Sequence, residues 1–376
     1  MEKKPAVLIV TENLNVGGAE KYTVLVANEL YARGYRVIVF ANKGPFRERI
    51  HPSIRFVRAH FESGMLGFLH GVFQIIRISL EERVVLVHAQ KLESSKAAWV
   101  ARFFTGVPVI KTAHGYTRKE LLTLGKRINR YSDVVVTVVD WLVSELQKNG
   151  VAEHKLRLIY NGMIPMQSTA ETNEIAALRT TLGINENDRV IVSVSRLERG
   201  KNHAEFLTWL PRILAQVPNA RYLIVGSGPE REPLEQKVRD LGLQHAVFFV
   251  EGTTYAEPYL QLADIFCTPT VAQGMAVLEA MTAGLPVVGT APTGGPEVVV
   301  HEETGFVVPK HDGDAFVEAL ITLLEDPIRA KHMGALGKER QAQLFSITKT
   351  VDALEEAYAS VFSFQRTVLQ IKQERA

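Results

Sequence analysis

The sequence predicts an α/β fold of the two-Rossmann type: two doubly wound parallel sheets, each in its own domain. Three observations lead there. The chain has 376 residues, about twice the size of a common single domain. Short β-branched runs alternate with longer amphipathic stretches along its whole length, the pattern of parallel strands joined by crossover helices. The runs fall six and six about a stretch of little periodicity, which fits two open sheets better than one eight-stranded barrel.

In the first half the expected strands are Ala6–Thr11, Arg36–Ala41, Val84–His88, Val107–Thr112, Val134–Val138 and Leu156–Tyr160. In the second they are Val190–Ser195, Tyr222–Val225, Val247–Val250, Ile265–Thr268, Val287–Thr290 and Phe306–Val308. Asn161-Gly162 marks a turn, and Met163–Thr172 carries little periodicity. The partition is therefore an N-terminal domain over 1–165, a C-terminal domain over 166–345, and closing helices over 346–376 that pack back on the first domain. Past Phe345 the residues Val351, Leu354, Tyr358 and Val361 stand at helical spacing.

Composition is that of an ordinary globular enzyme, with 46% apolar and 22% charged residues. The one cysteine, Cys267, lies in an apolar run and reads as a small core residue of a reducing compartment. The apolar run near the N-terminus is too short for a signal segment or a membrane span. The expected location is cytoplasmic. Net charge is only +2 but unevenly spread. Residues 1–167 hold 24 Lys/Arg and 14 Asp/Glu, a net of +10, and the remainder hold 19 and 27, a net of −8. Either the first half faces something anionic or the two halves attract each other. Nucleic acid is not an expected partner.

Ligands of open α/β sheets sit outside the carboxyl ends of the strands, so the loops there are the place to look, with the cleft between two such domains as the default site. The first loop, Asn13–Lys21, carries Gly17 and Gly18 and opens a helix. Adjacent glycines let backbone N–H groups approach a ligand, and the helix start favours an anion. Neither the dinucleotide fingerprint nor a P-loop is present, and a tight turn with no ligand is an equal reading. The second loop, Val194–Asn202, places Arg196 and Lys201 around a glycine. Two cations there suit the negative charge that develops on a departing diphosphate, although a solvated basic loop has the same composition. Ile224–Arg231 contains a G-x-G without its third glycine, and reads as a close-packed turn. The fourth segment, Thr268–Val288, ends a strand, holds Gly274 and starts a helix near Met275 with Glu279 one turn in. The N–H groups of Gly274, Met275 and Ala276 suit phosphate or sugar oxygens. Glu279 can accept two hydroxyls of one ribose, or merely favour its own helix dipole. The loop Thr293–Glu297 repeats the design.

Taken in order, G-G-A-E, H-G-Y, N-G, V-S-R-L…G-K-N, V-G-S-G-P, A-D-I-F-x-x-P, L-E-A-M-x-A-G-x-P-V-V, G-G-P-E and T-G-F-V-V-P resemble glycosyltransferase family 4. The resemblance spans Val7 to Ala319. It implies the GT-B fold and a retaining transfer of a sugar from a nucleotide diphosphate; a UDP-sugar is the expected donor, and a glycan or lipid-linked molecule of cell-surface polysaccharide or glycoconjugate synthesis the expected acceptor. It implies pyrophosphate contacts from Arg196 and Lys201 and a ribose contact from Glu279. Donor contacts would come from Gly17, Gly18 and the Gly274–Ala276 backbone. The family's histidine near the reacting sugar falls on His114. No cofactor or metal is implied. Asp312-Gly-Asp314 has a metal-binding form, but its place before a helix reads as an N-cap.

One position departs from the family pattern. A first glutamate commonly stands eight residues before the second, and Val271 holds that place, followed by Ala272 and Gln273. The nearest carboxylates in sequence are Asp264 and Glu279, and neither obviously substitutes. Backbone groups with Gln273, an unusual donor, or poor turnover are the open alternatives. Beside a transferase, a nucleotide-sugar epimerase and a catalytically weak sugar-nucleotide-binding subunit fit the same scaffold.

The acceptor side has its own signal. Lys43, Arg47, Arg49, Arg55 and Arg58 precede a stretch in which Met65, Leu66, Phe68, Leu69, Val72, Phe73, Ile75 and Ile76 are apolar. Basic residues beside apolar ones are what a peripheral protein offers anionic lipid. A membrane inner face is one expectation, and packing of these residues under the first sheet is the other.

Overall fold

The computed structural model describes residues 6–59, 64–116, 118–166, 172–271, 273–291 and 297–361. It divides into two compact units, one of residues 1–162 with the chain from 347 onward, the other of residues 163–346.

The N-terminal unit runs β1 (Ala6–Val10), α1 (Gly18–Ala32), β2 (Arg36–Ala41), β3 (Arg55–Arg58), α2 (Met65–Glu81), β4 (Val84–Ala89), α3 (Leu92–Thr105), β5 (Val109–Ala113), α4 (Arg118–Arg130), β6 (Val134–Thr137), α5 (Asp140–Lys148) and β7 (Leu156–Leu158). All its strand pairs are parallel, in the order β3-β2-β1-β4-β5-β6-β7. The seven strands exceed the six expected from sequence by β3. Its four residues read Arg-Phe-Val-Arg, and its arginines are exposed. Such a polar edge strand lacks the continuous apolar run that marks a strand buried on both faces.

The C-terminal unit runs α6 (Thr172–Leu182), β8 (Arg189–Val194), α7 (His203–Gln216), β9 (Ala220–Val225), α8 (Arg231–Asp240), β10 (Val247–Val250), α9 (Glu257–Gln261), β11 (Ile265–Val271), α10 (Met275–Thr282), β12 (Val287–Thr290), β13 (Gly305–Val308), α11 (Gly313–Glu325) and α12 (Pro327–Leu344). Its six strands are parallel in the order β10-β9-β8-β11-β12-β13. The last helix, α13 (Ile347–Ala359), belongs to the N-terminal unit. Arg33, which caps the C-terminal end of α1, holds it through Asp352 at 2.7 Å, Glu355 at 3.3 Å and the Thr348 carbonyl at 2.8 Å. Val351, Leu354 and Tyr358 bury the face predicted from their spacing.

Each sheet has one place where consecutive connections leave in opposite directions, between β1 and β4 and between β8 and β11. A crevice opens at the carboxyl edge of such a switch point. The loops after β1 and β4, and those after β8 and β11, are therefore where each unit can hold a ligand. Beneath them lie apolar cores. Leu8, Phe40, Ile75, Val87 and Val109 sit in one, and Phe206, Tyr222, Cys267, Phe316 and Leu320 in the other. Among the described residues no helix is long and apolar enough to cross a membrane.

Candidate active site

In the C-terminal unit the loop after β8 is braced from below. Tyr222 on β9 donates to Ser193 Oγ at 2.9 Å, and its hydroxyl meets His203 Nδ1 at 2.8 Å. The other ring nitrogen of His203 meets Ser195 Oγ at 2.7 Å. Burial holds this imidazole down to about 4, so it stays neutral and links sheet to loop. The G-x-G turn after β9 closes on the same loop. A Cβ on Gly226 would lie 2.0 Å from the Ser195 carbonyl oxygen, and one on Gly228 would lie 2.4 Å from that of Leu197. Those glycines are packing requirements, as the sequence suggested.

On this platform Arg196 stands exposed and pairs with Glu198 at 3.0 Å. Lys201 ends a short 3-10 turn, Arg199–Lys201. Burial pushes its ammonium below the usual lysine range, the Arg196 charge adds to this, and Glu198 opposes it. A cation held against these costs gains from an incoming anion. Asn202, in the left-handed region at φ 56°, donates from Nδ2 to the Pro269 carbonyl on β11 at 3.3 Å. That bond ties the basic loop to the neighbouring strand.

After β11, Gly274 precedes α10 with φ 96° and ψ −178°. This conformation is open to glycine and strained for side-chain residues. The N–H groups of Gly274, Met275 and Ala276 lie at a helix start, where intrahelical acceptors are lacking. Glu279 is buried on the same helix, only 6% exposed. Val271 is half-buried, at a point where the β11–β12 register shifts.

The sequence shows no nearby carboxylate to stand in at Val271, and the structure brings a distant one against the neighbouring Gln273. Gln273 Nε2 donates to Glu297 Oε1 at 3.3 Å. Glu297 follows the loop whose residues 292–296 lie outside the described ones, as does Ala272. Arg340 on α12 anchors it, donating to the Glu297 and Val298 carbonyls at 2.9 Å each. A carboxylate thus stands beside the start of α10, 24 residues away in sequence. Asp264 is spent elsewhere. Its Oδ2 accepts from the Val190 N–H at 2.7 Å, at the opposite edge of the sheet. Asp312 caps α11 by accepting from the Ala315 N–H at 3.0 Å, and Asp314 pairs with Arg212 at 2.7 Å.

The N-terminal unit has a different character. Gly17 is the N-cap of α1 at φ 179°, an extended backbone any residue adopts, and Gly18 begins the helix. A Cβ on Gly17 would meet only the carboxylate tip of Glu20, at 2.5 Å. Glu20 in turn pairs with Lys91, before α3, at 3.1 Å. After β5, His114 Nε2 meets Gln90 Oε1 at 2.8 Å, and its ring packs edge-on to Tyr22, 4.9 Å between centroids. Burial, with the nearby Lys111, His88 and Lys91, lowers His114 to about 3. His88 lies between the Tyr358 and Thr112 hydroxyls, at 2.7 Å each, and burial lowers it to about 3 as well.

Lys111, which motif reading passed over, is fully buried in the middle of β5. Its Nζ donates to the Thr112 carbonyl at 3.4 Å and lies 5.8 Å from the Tyr116 ring centre. Burial lowers it to about 7, with Glu12 pulling the other way.

The family described as "Glycosyl transferases group 1" matches residues 174–340, and "Glycosyltransferase Family 4" matches residues 16–165. The chain belongs to glycosyltransferase family 4. It is similar to the N-acetyl-alpha-D-glucosaminyl L-malate synthase of Bacillus anthracis, 23% identical over 92% of this chain and 95% of that protein. It is also similar to a GDP-mannose-dependent phosphatidylinositol monomannoside mannosyltransferase of Mycolicibacterium smegmatis. That match is 31% identical and covers 57% of this chain and 58% of the relative. Among solved structures, Anabaena HepE in complex with UDP and glucose superposes with a TM-score of 0.81. It is 20% identical over 95% of this chain and 100% of that one, which establishes the GT-B fold. The chain is thus a glycosyltransferase with two Rossmann-like units.

Proposed function

We propose that this glycosyltransferase is a retaining hexosyltransferase that takes a sugar from UDP and delivers it to a glycan or lipid-linked acceptor, at the inner face of a membrane. The observation that carries the donor side is one juxtaposition. Arg196 and Lys201 follow β8, and the glycine-capped start of α10 follows β11, the strand beside it. Cations and free amides on adjacent loops suit a diphosphate whose charge grows as its bond to the sugar breaks. Glu279 takes the ribose hydroxyls. In the N-terminal unit neither backbone conformation nor a rigid neighbour demands glycine at Gly17, which leaves close approach of a ligand as its reason, with Gly18 beside it.

The chemistry needs little from a protein base. The C1–oxygen bond to the diphosphate breaks, the acceptor oxygen bonds C1 on the same face, and the acceptor proton passes to the departing phosphate oxygen. His114, neutral and oriented by Gln90, offers a hydrogen bond to the sugar rather than a charge. No divalent ion is required, because Arg196 and Lys201 supply the positive charge. UDP is favoured by the fold neighbour solved with UDP and glucose, and a lipid-linked acceptor by the phosphatidylinositol-directed relative.

The test is incubation with UDP-sugars and GDP-sugars in EDTA, without acceptor. Slow release of free sugar from a UDP-sugar is expected. Epimer formation would make the chain an isomerase, preference for GDP-sugars would overturn the donor assignment, and a strict need for added magnesium or manganese would overturn the metal-free mechanism.

A further inference from the structure

The side chains of α2 do not follow either sequence expectation alone. Val72, Ile75 and Ile78 are buried in the core with Ala97, Ala98 and Ala101 of α3. Met65, Leu66, Leu69, Phe73 and Leu80 remain exposed, with Leu66 at 84%. The neighbouring helices continue this surface. Phe103 and Phe104 on α3 are 71% and 70% exposed, and Leu122 on α4 is 76% exposed. Eight of the fourteen large exposed apolar side chains among the described residues therefore lie on these three helices.

The three lie side by side. Lys96 of α3 sits over the Phe68 ring of α2 at 4.5 Å. Arg127 of α4 reaches Glu93 of α3 at 3.2 Å, and Arg130 lies over the Trp99 ring at 5.2 Å. Single exposed apolar residues are ordinary, but a concentration like this marks a surface that meets something apolar.

Charge says what that is. The three helices hold eight Lys/Arg and three Glu, a net of +5. On α4, Lys119, Leu122 and Lys126 recur at helical spacing and are exposed, so cations flank an apolar residue on one face. Trp99 packs edge-on against Phe103 at 4.7 Å beneath Arg130, an aromatic and cationic pair suited to a lipid headgroup boundary. The basic residues singled out before α2 contribute less than the sequence suggested. Arg55 is paired with the buried Glu82, and Arg47 lies over the Phe56 ring at 4.8 Å.

We propose that the joint face of α2, α3 and α4 docks the enzyme on an anionic bilayer, its apolar side chains entering the headgroup boundary and its lysines and arginines meeting lipid phosphates. This deepens the membrane-side acceptor reading above and names the surface that serves it.

The full chain is sedimented with vesicles of phosphatidylglycerol and of phosphatidylcholine, at low and high salt. Binding to phosphatidylglycerol, weakened by salt, is expected, with little binding to phosphatidylcholine. Lys126→Ala should lower the partition about fivefold, the loss expected for one surface cation. Phe73→Ser should lower it on the order of tenfold, through lost apolar insertion. Both residues are exposed, so both variants should fold. Equal binding to the two vesicle types, no binding to either, or binding indifferent to both variants would overturn the proposal. So would a dimer in solution that Phe73→Ser dissociates, since the face would then meet a second copy of the chain. Transfer to a detergent-dispersed acceptor is measured separately, and its absence would strike the transferase reading while leaving the vesicle result to stand.

Discussion

The two units use the same edge of the same kind of sheet in opposite ways. In the C-terminal unit the working groups are charged and partly open: Arg196 is exposed, Lys201 follows in a short turn, and α10 offers its first amides. In the N-terminal unit the ionisable groups on or just after β4 and β5 are held toward neutrality, buried His88 and half-buried His114 near 3 and buried Lys111 near 7. A site for a diphosphate needs standing positive charge. A site that orders hydroxyls gains from groups that give and take hydrogen bonds without drawing in counter-ions. Under the proposed function, the charge-stabilising work falls to the C-terminal unit and the shape-reading work to the N-terminal one.

The largest expected effect breaks the charged side of this contrast. Arg196→Ala and Lys201→Ala should each lower turnover at saturating donor by about 10²–10³, the loss typical of removing one contact to developing charge. Steady-state kinetics on both variants checks this, and near-normal turnover in both would remove the diphosphate from this loop.

A smaller effect is expected at the pair that sequence reading missed. Gln273→Ala removes the amide that Glu297 holds beside Gly274. One hydrogen bond to the donor sugar corresponds to about a five- to tenfold rise in donor KM. The split between KM and kcat decides it: a loss confined to kcat would mean that Gln273 does not bind the ground-state donor.

The smallest effect on catalysis, but a distinct one on stability, belongs to Lys111. Its amine falls from 10.5 to about 7 on folding, so the unfolded chain holds more protons between those values. Stability should therefore rise with pH across that window, the neutral amine escaping the cost of burial. Lys111→Met should raise the melting temperature by several degrees near neutral pH and flatten the rise. Thermal melts from about pH 7 to about pH 10 test this. An unchanged slope would mean that the lysine finds compensation the structure does not show.

How much of this was legible in the sequence differs between the units for physical reasons. Strands buried on both faces announce themselves as apolar runs, and all twelve expected ones exist, with ends shifted by a few residues. Among the described residues only β3 escaped, because an edge strand reading Arg-Phe-Val-Arg looks like a loop. The loops proposed to hold the donor were legible because such a site relies on local features: Gly274 at φ 96° and the cations after β8 lie within short motifs. What stayed hidden depends on residues distant in the chain. Glu297 reaches Gln273 across β12, and His88 is held by Tyr358 from 270 positions away. Lys111 was hidden for another reason: a lone lysine in an apolar run gives no sign of whether its amine is buried.

The central claim is that the C-terminal unit recognises a diphosphate through Arg196 and Lys201. Calorimetric titration of UDP and UMP into the wild type and the Lys201→Ala variant tests it most directly. The account predicts that UDP binds the wild type more tightly than UMP by at least about tenfold, the value of one charge-assisted contact. That advantage should largely vanish in Lys201→Ala while UMP binding stays close to wild type. An advantage of UDP over UMP that survives the substitution undiminished would contradict it.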